Sequence, residues 1–284
     1  VIDIPQRVEP FGAFAPTSFE LALMGLGHHL PYTWAGRRLS SLIRSSLKRL
    51  SRRPIDAVRL GSRMRLHAQG NACEKRLLVS PQFFDPEVLA RLQGVLQPGF
   101  AFIDIGANVG AYSLFVGHRT CPPARILAVE PHPEAQRRLA CNLALNGLGW
   151  VETVPVALSD AAGTIELMVN ERNIGSSSMC AEWEPDMPRT RIEVPCETLL
   201  TLARRHGLER IDAIKADVEG AEDRILVPFF TDAPATLWPR LLIVEDGRRG
   251  WRRDLLGLLA ARGYATALMS RGNIVLTLGQ ARQV

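Results

Sequence analysis

The chain has 284 residues, 46% of them apolar, which suits one large domain or a domain with an appendage, and no apolar run approaches the roughly 18 residues of a membrane span. Its five cysteines, at 73, 121, 141, 180 and 196, are odd in number and lack CxxC spacing, which argues against a disulfide framework or a zinc site and for reduced thiols in a cytoplasmic protein. The net charge of +5 is uneven: Arg37 to Arg65 holds ten Lys or Arg against one acid, Asp56, so the rest of the chain is net negative. The opening VIDIPQRVEP lacks a basic start followed by an apolar stretch, so no secretory signal is expected there.

Residues 1–70 read as a basic, partly helical extension. Pro, Gly and His punctuate 5–36, and RRLSSLIRSSLKRLSRR then places Leu39, Leu42, Ile43, Leu47 and Leu50 on one helical stripe. Either this helix packs on the main domain with a solvated basic face, or residues 37–65 form a surface for an acidic partner, such as an anionic membrane or a phosphorylated carrier. No aromatic-rich basic stripe points to nucleic acid. From about Phe100 strand and helix alternate. AFIDI is a strand and VGAYSLFVGH a helix; ARILAVE is a strand, and PEAQRRLACNLALNG a helix with Pro133 near its start and Gly147 as its stop. VETVPVAL reads as one strand, and TIELMV and RIEVPCE as a paired excursion. ETLLTLARRHG, GAEDRILVPFF and WRRDLLGLLAARG read as helices separated by the strands IDAIKAD and RLLIVED, and YATALM and NIVLTLG close the chain as a hairpin. The pattern predicts a mostly parallel, doubly wound α/β sheet with an antiparallel terminal hairpin.

In such sheets ligands bind beyond the carboxyl ends of the strands. The stretch FIDIGANVGAYS puts Asp104, Gly106, Asn108 and Gly110 there, with D-x-G-x-x-x-G spacing. Asn108 stands where a dinucleotide fingerprint has the glycine that admits a pyrophosphate. A cofactor with an amino acid end and no phosphate suits polar side chains instead, which points to S-adenosylmethionine, with Asp104 accepting from its ammonium group. Glu130, twenty residues after Gly110 at the end of the next strand, is placed to bind ribose hydroxyls. Ser159 and Asp160 follow the third strand, where Asp160 would accept from the adenine amino group.

The blocks FIDIGANVGAYSL, AVEPHPEAQRRLACNLALNGL, ALSDAAGTIEL, NIGSSSM and IKADVEGAEDRIL together resemble the FkbM family of S-adenosylmethionine-dependent methyltransferases, over about Leu77 to Leu278. The resemblance implies a Rossmann-like class I methyltransferase fold in residues 71–284. It also implies O-methylation of sugar, glycolipid or natural-product hydroxyls, and cofactor contacts from Asp104, Gly106, Asn108, Gly110, Glu130 and Asp160. Ala216, inside its strand, departs from the commoner branched apolar residue.

Methyl transfer to a hydroxyl needs alignment and removal of a proton. Asp217 in KADVEGAE is the first candidate base and Glu219 the second, with Lys215 beside them and Glu222 suited to the helix dipole. Glu245 and Asp246 end the fifth strand and, with Asp217, offer oxygen ligands for Mg²⁺, which the resemblance by itself does not imply. His132 reads as a helix-start residue, the Asn173 and Gly175–Ser178 stretch as either a substrate lid or an ordinary turn, and Trp183 and Trp251 as either sugar-stacking or core. The competing functions are an N-methyltransferase of the same fold, a catalytically inactive binding or scaffold module, and a nicotinamide-dependent oxidoreductase, against which Asn108 argues.

Overall fold

A computed structural model describes residues 8–170, 173–176 and 189–279. The amino-terminal part supplies α1 (Ser18–His28), α2 (Trp34–Leu50), the strands β1 (Pro54–Arg59) and β2 (Ser62–His67), α3 (Ala72–Val79) and α4 (Pro86–Gln93). Then follow β3 (Ala101–Ile105), α5 (Ala111–Gly117), β4 (Arg125–Val129), α6 (Pro133–Leu145), β5 (Glu152–Val154), β6 (Ala157–Leu158), β7 (Gly163–Asn170), β8 (Arg189–Glu197) and α7 (Leu199–Arg205). The chain finishes with β9 (Ala213–Ala216), α8 (Glu222–Asp232), β10 (Leu241–Glu245), α9 (Leu255–Ala261), β11 (Tyr264–Met269) and β12 (Asn273–Leu278).

Seven strands form the central sheet in the order β11-β12-β10-β9-β3-β4-β5. β5, β4, β3, β9 and β10 pair in parallel, and β12 is antiparallel to both β10 and β11. This is the predicted doubly wound sheet with its terminal hairpin, the arrangement of a Rossmann-like class I methyltransferase. Strand order reverses between β3 and β9, so the helices that follow these two strands pack on opposite faces of the sheet and leave a crevice at the strand ends. β3 is buried throughout. Phe102 packs into a core with α3–α6, and Ile103 and Ile105 into a second core with α7–α9, as alternation along a strand requires.

Three elements differ from their sequence expectation. VETVPVAL is two strands: Pro155, which has no N–H to donate, breaks it. β5 joins the central sheet, and β6 joins a three-stranded sheet with the expected β7–β8 pair. The last helix begins only after Asp254, whose side chain caps it by accepting from Gly257 N at 2.9 Å, so Trp251–Arg253 lie outside it. On α2 the buried positions are Gly36, Ser40, Ile43 and Leu47, whereas Leu39, Leu42 and Leu50 face outward. Small residues set this rotation: a side chain at Gly36 would collide with the Pro31 carbonyl, and Ser40 donates to Ser80 at 2.8 Å.

The α1 helix and the β1–β2 hairpin are additional to the sequence reading. The core around Phe102 runs on through Met24, Ile43, Leu47, Ile55, Met64 and Leu66. The hairpin turns at Leu60-Gly61, both at positive φ, the geometry of a two-residue hairpin turn. Directly opposed across it are Asp56 and Arg65, joined at 2.8 Å with both side chains buried. Asp56 also accepts from the amides of Gly12 and Phe14, at 2.8 and 3.1 Å. The outer edge of β2 is satisfied by α6: Asn142 accepts from Arg65 N at 2.7 Å while donating to Val109 O at 3.0 Å. Asn142 therefore ties the hairpin to the turn after β3.

Asp56→Ala is expected to leave the Arg65 charge buried and unpaired and to cost about 3–5 kcal/mol. Urea unfolding measures it, and a loss below about 1 kcal/mol would contradict the assigned role.

Candidate active site

The crevice between the β3 and β9 ends holds a cavity of about 230 Å³. Gly106 begins its floor at φ +73°, and a Cβ there would lie 1.9 Å from the Asp217 carbonyl oxygen. The turn after β3 and the turn after β9 thus touch backbone to backbone, which only glycine permits. Gly106 N and Ala107 N both donate to Val129 O, at 2.9 and 3.0 Å, closing the turn onto β4. Asn108 is held at φ +53°, with its amide donating to Glu130 Oε2 at 2.8 Å and its side-chain oxygen accepting from Asn71 Nδ2 at 2.7 Å.

Glu130 directly follows β4, buried, and its other oxygen accepts from His132 N at 2.9 Å. Burial pushes its carboxyl up to about 7, against the two amide hydrogen bonds that favour the charged form. His132 caps α6, its ring accepting from Glu134 N and Ala135 N, in keeping with a helix-start residue.

At the other side of the crevice Lys215, on β9, is buried and donates to Gly106 O at 2.9 Å, with Asp217 at 3.2 Å and Asp104 at 3.6 Å. Burial alone would lower its pKa, but Asp217 and then Asp104 hold it above the ordinary lysine range, so it stays an ammonium. Three carboxylates gather beyond it: oxygens of Asp217, Glu219 and Glu245 lie within 4.8 Å of one another. Glu219 sits at φ +56°, and its amide donates to Glu245 at 3.1 Å. Burial, followed by the charges of Asp217, Glu219 and Glu222, pushes the Glu245 carboxyl well above the ordinary carboxylate range. Glu222 is removed from the chemistry: it accepts from Val218 N, Gly220 N and the Trp251 indole, at 3.0, 3.2 and 2.7 Å, and so pins the loop.

A family model described as the methyltransferase FkbM domain matches residues 104–255. The chain belongs to the FkbM methyltransferase family. It is 34% identical to methyltransferase sdnD of Sordaria araneosa, in an alignment covering 56% of this chain and 80% of that protein. It is 28% identical to the AMB antimetabolite synthetase AmbE of Pseudomonas aeruginosa, over 67% of this chain but only 11% of that much longer protein. Among solved structures it is similar to the O-methyltransferase TomG of Streptomyces achromogenes, in complex with SAM, at 17% identity and a TM-score of 0.41, covering 71% of this chain and 81% of that one. An FkbM domain is an S-adenosylmethionine-dependent methyltransferase, and that is the class of this enzyme.

Within the FkbM domain the structure sorts the candidate residues. Gly106, Asn108, Glu130, Asp217, Glu219 and Glu245 line the cavity. Asp104 does not: it is fully buried behind the turn, accepting from Ser113 N and Oγ at 3.0 and 2.7 Å, and the ammonium it faces is that of Lys215. Gly110, also away from the cavity wall, makes room for α6, since a Cβ would lie 2.6 Å from Leu139. Ser159 donates to Asp160, and Asp160 is drawn off by Arg253 at 2.7 Å and Arg224 at 3.6 Å, so Ala157 and Leu158 line this end of the cavity. Asp246 pairs with Arg248 at 2.7 Å, leaving Glu219 as the third acid of the cluster. Trp251 packs against the core rather than presenting a stacking face. Trp183, Ser177 and Ser178 lie outside the described residues. The described part of their loop closes onto the cavity edge, with Ile174 N donating to Gly70 O at 2.7 Å and Asn173 accepting from Ala72 N at 2.8 Å.

Sequence reasoning missed the contribution of residues 71–85. Cys73, Arg76, Phe84 and Asp85 line the cavity, and Tyr112 donates to Asp85 at 3.0 Å. Burial pushes the Cys73 thiol up to about 12, so it is no nucleophile. The one local signal was Asn71, whose spacing before Glu74 marks a helix start.

Gly106→Ala is expected to cost at least about 3 kcal/mol and to abolish binding of S-adenosylhomocysteine, because the Asp217 backbone must move. Thermal melting with calorimetric titration checks this; wild-type values for both would contradict the backbone contact.

Proposed function

We propose that this enzyme transfers the methyl group to a hydroxyl of a small molecule, a sugar, glycolipid or natural product, with Asp217 as the base. One observation carries the reading. A second cavity, of about 360 Å³, adjoins the first, and Asp217 and Glu245 belong to the walls of both. The carboxylates therefore stand where a cofactor on one side and an acceptor on the other would meet. The name of AmbE, an antimetabolite synthetase, supports a small-molecule acceptor.

The donor set fits S-adenosylmethionine. Glu130 offers a carboxylate for the ribose hydroxyls, Val129, Val156 and Leu158 offer apolar surface for a purine, and Asn108 occupies the place a pyrophosphate would need clear. When bound, S-adenosylmethionine supplies a methyl carbon made electrophilic by its sulfonium and departs as S-adenosylhomocysteine. Asp217 accepts the hydroxyl proton as the oxygen forms its bond to carbon. Lys215 anchors Asp217, and the raised affinity of Glu245 for a proton, caused by its burial and the neighbouring acids, limits the negative charge of the cluster. The Asp217, Glu219 and Glu245 oxygens are also close enough to hold Mg²⁺, which would lower the hydroxyl pKa in place of a base.

Asp217→Asn is expected to lower kcat about 10²–10⁴-fold while S-adenosylhomocysteine binding persists. The measurement is S-adenosylhomocysteine release over a panel of hydroxylated acceptors. Unchanged turnover would remove Asp217 from the chemistry, and turnover lost in EDTA and restored by Mg²⁺ would favour the metal over the base. Because Glu130 must be ionised to accept from ribose, S-adenosylhomocysteine should bind about tenfold more weakly at pH 6 than at pH 8. Glu130→Gln should be weaker throughout and flat with pH; a wild type without this slope would sink the ribose assignment.

A further inference from the structure

The cavity beyond Asp217 is unusual in its charge. Four arginines line it: Arg37 and Arg44 from α2, Arg76 from α3, and Arg271 from the β11–β12 turn. Among the described residues none of these four guanidinium groups makes an ion pair or a side-chain hydrogen bond, whereas Arg53, Arg59, Arg65, Arg125, Arg137 and Arg138 all do. Arg37 is held in place by stacking, its guanidinium carbon 4.4 Å from the Tyr32 ring centre and 5.8 Å from that of Phe83. Arg44 is half-buried, and burial followed by the like charge of Arg76 lowers its pKa.

The same walls include four acids, but three are engaged at the end shared with the cofactor cavity. Asp217 pairs with Lys215, Glu245 accepts from Glu219 N, and Asp85 accepts from Tyr112. Glu87 alone stands with Arg37, Arg44 and Arg271 among the residues that line only the second cavity. Converging guanidinium groups without counter-ions repel one another, and a planar fork of donors matches the oxygens of phosphate or carboxylate.

Building on the methyltransferase assignment above, we infer that the second cavity binds the acceptor through an oxyanion, phosphate or carboxylate, held by Arg37, Arg44, Arg76 and Arg271, with the acceptor hydroxyl turned toward Asp217. The basic helix α2 is then part of the acceptor site. The substrate class is a hydroxylated small molecule bearing a phosphate, whether soluble or on a lipid headgroup, or a carboxylate.

Calorimetry on the full chain saturated with S-adenosylhomocysteine tests this, with inorganic pyrophosphate and glucuronate as soluble probes and phosphatidic acid vesicles as the lipid probe. Saturable binding of at least one probe is expected, weakened about tenfold or more in Arg44→Gln and in Arg271→Gln but unchanged in Arg49→Gln, which is on the exposed side of α2. Arg271 is exposed on a turn, so that variant remains informative if Arg44→Gln fails to fold. Arginine-dependent binding of soluble probes alone assigns a soluble acceptor, and of vesicles a lipid headgroup. No saturable binding, or equal weakening in all three variants, overturns the inference while S-adenosylhomocysteine binding leaves the methyltransferase assignment standing. A folded chain that fails to bind S-adenosylhomocysteine overturns both.

Discussion

The site is organised around one buried cation. Lys215 lies opposite Asp104 in the β3–β9 register, at the point where the sheet order reverses, and donates to the Gly106 carbonyl between Asp104 and Asp217. A lysine ammonium removed from water is tolerated only with such compensation. The consequence is geometric: one side chain holds the turn after β3, which lines the first cavity, and the Asp217 carboxylate, which belongs to both cavities, in a fixed relation. Gly106 completes the constraint, because its missing side chain lets the two turns touch. Sheet topology brings the strand ends together, and Lys215 makes the junction rigid enough to position a reaction.

The distribution of counter-charges then sorts the acids. Glu130 and Glu222 accept from backbone amides, Asp160 and Asp246 are neutralised by arginines, and Asp104 is spent on Ser113. What remains is the group of Asp217, Glu219 and Glu245, where burial and mutual repulsion raise the Glu245 pKa. The arginines divide in the same way. Several are paired at the surface or along the hairpin, and four of the unpaired ones face one cavity. Carboxylates at the junction and guanidinium groups beyond it give the two cavities a charge asymmetry that suits a reaction between a cationic methyl donor and an anionic acceptor.

The amino-terminal segment supports this arrangement twice. Its hairpin is stitched through Asn142 to Val109, within the cofactor turn, and its second helix lends Arg37 and Arg44 to the outer cavity. Leu39, Leu42 and Leu50 face outward as a consequence of the same rotation that brings Ser40 against Ser80. The basic stretch that gave the sequence its charge imbalance is thus split between solvent and site.

The sequence alone determined the alternation of strand and helix, the sheet and its terminal hairpin, and the presence of Gly106, Asn108, Glu130, Asp217 and Glu245 at strand ends, because apolar periodicity and turn glycines are local signals, and the order of its motif blocks carried the resemblance to the FkbM family. It also placed Asp104 and Asp160 on the cofactor, and there it stopped, since spacing along the chain does not say where a side chain finds its counter-charge. Only the tertiary structure decided that Asp104 would serve Ser113 and Lys215, that Arg253 would draw Asp160 away, and that Glu219 rather than Asp246 would join the acidic cluster. It likewise brought Arg44, Arg76 and Arg271 to one cavity from three separate elements. Such pairings join residues far apart in the chain, and they are settled by which groups are desolvated together when the cores close.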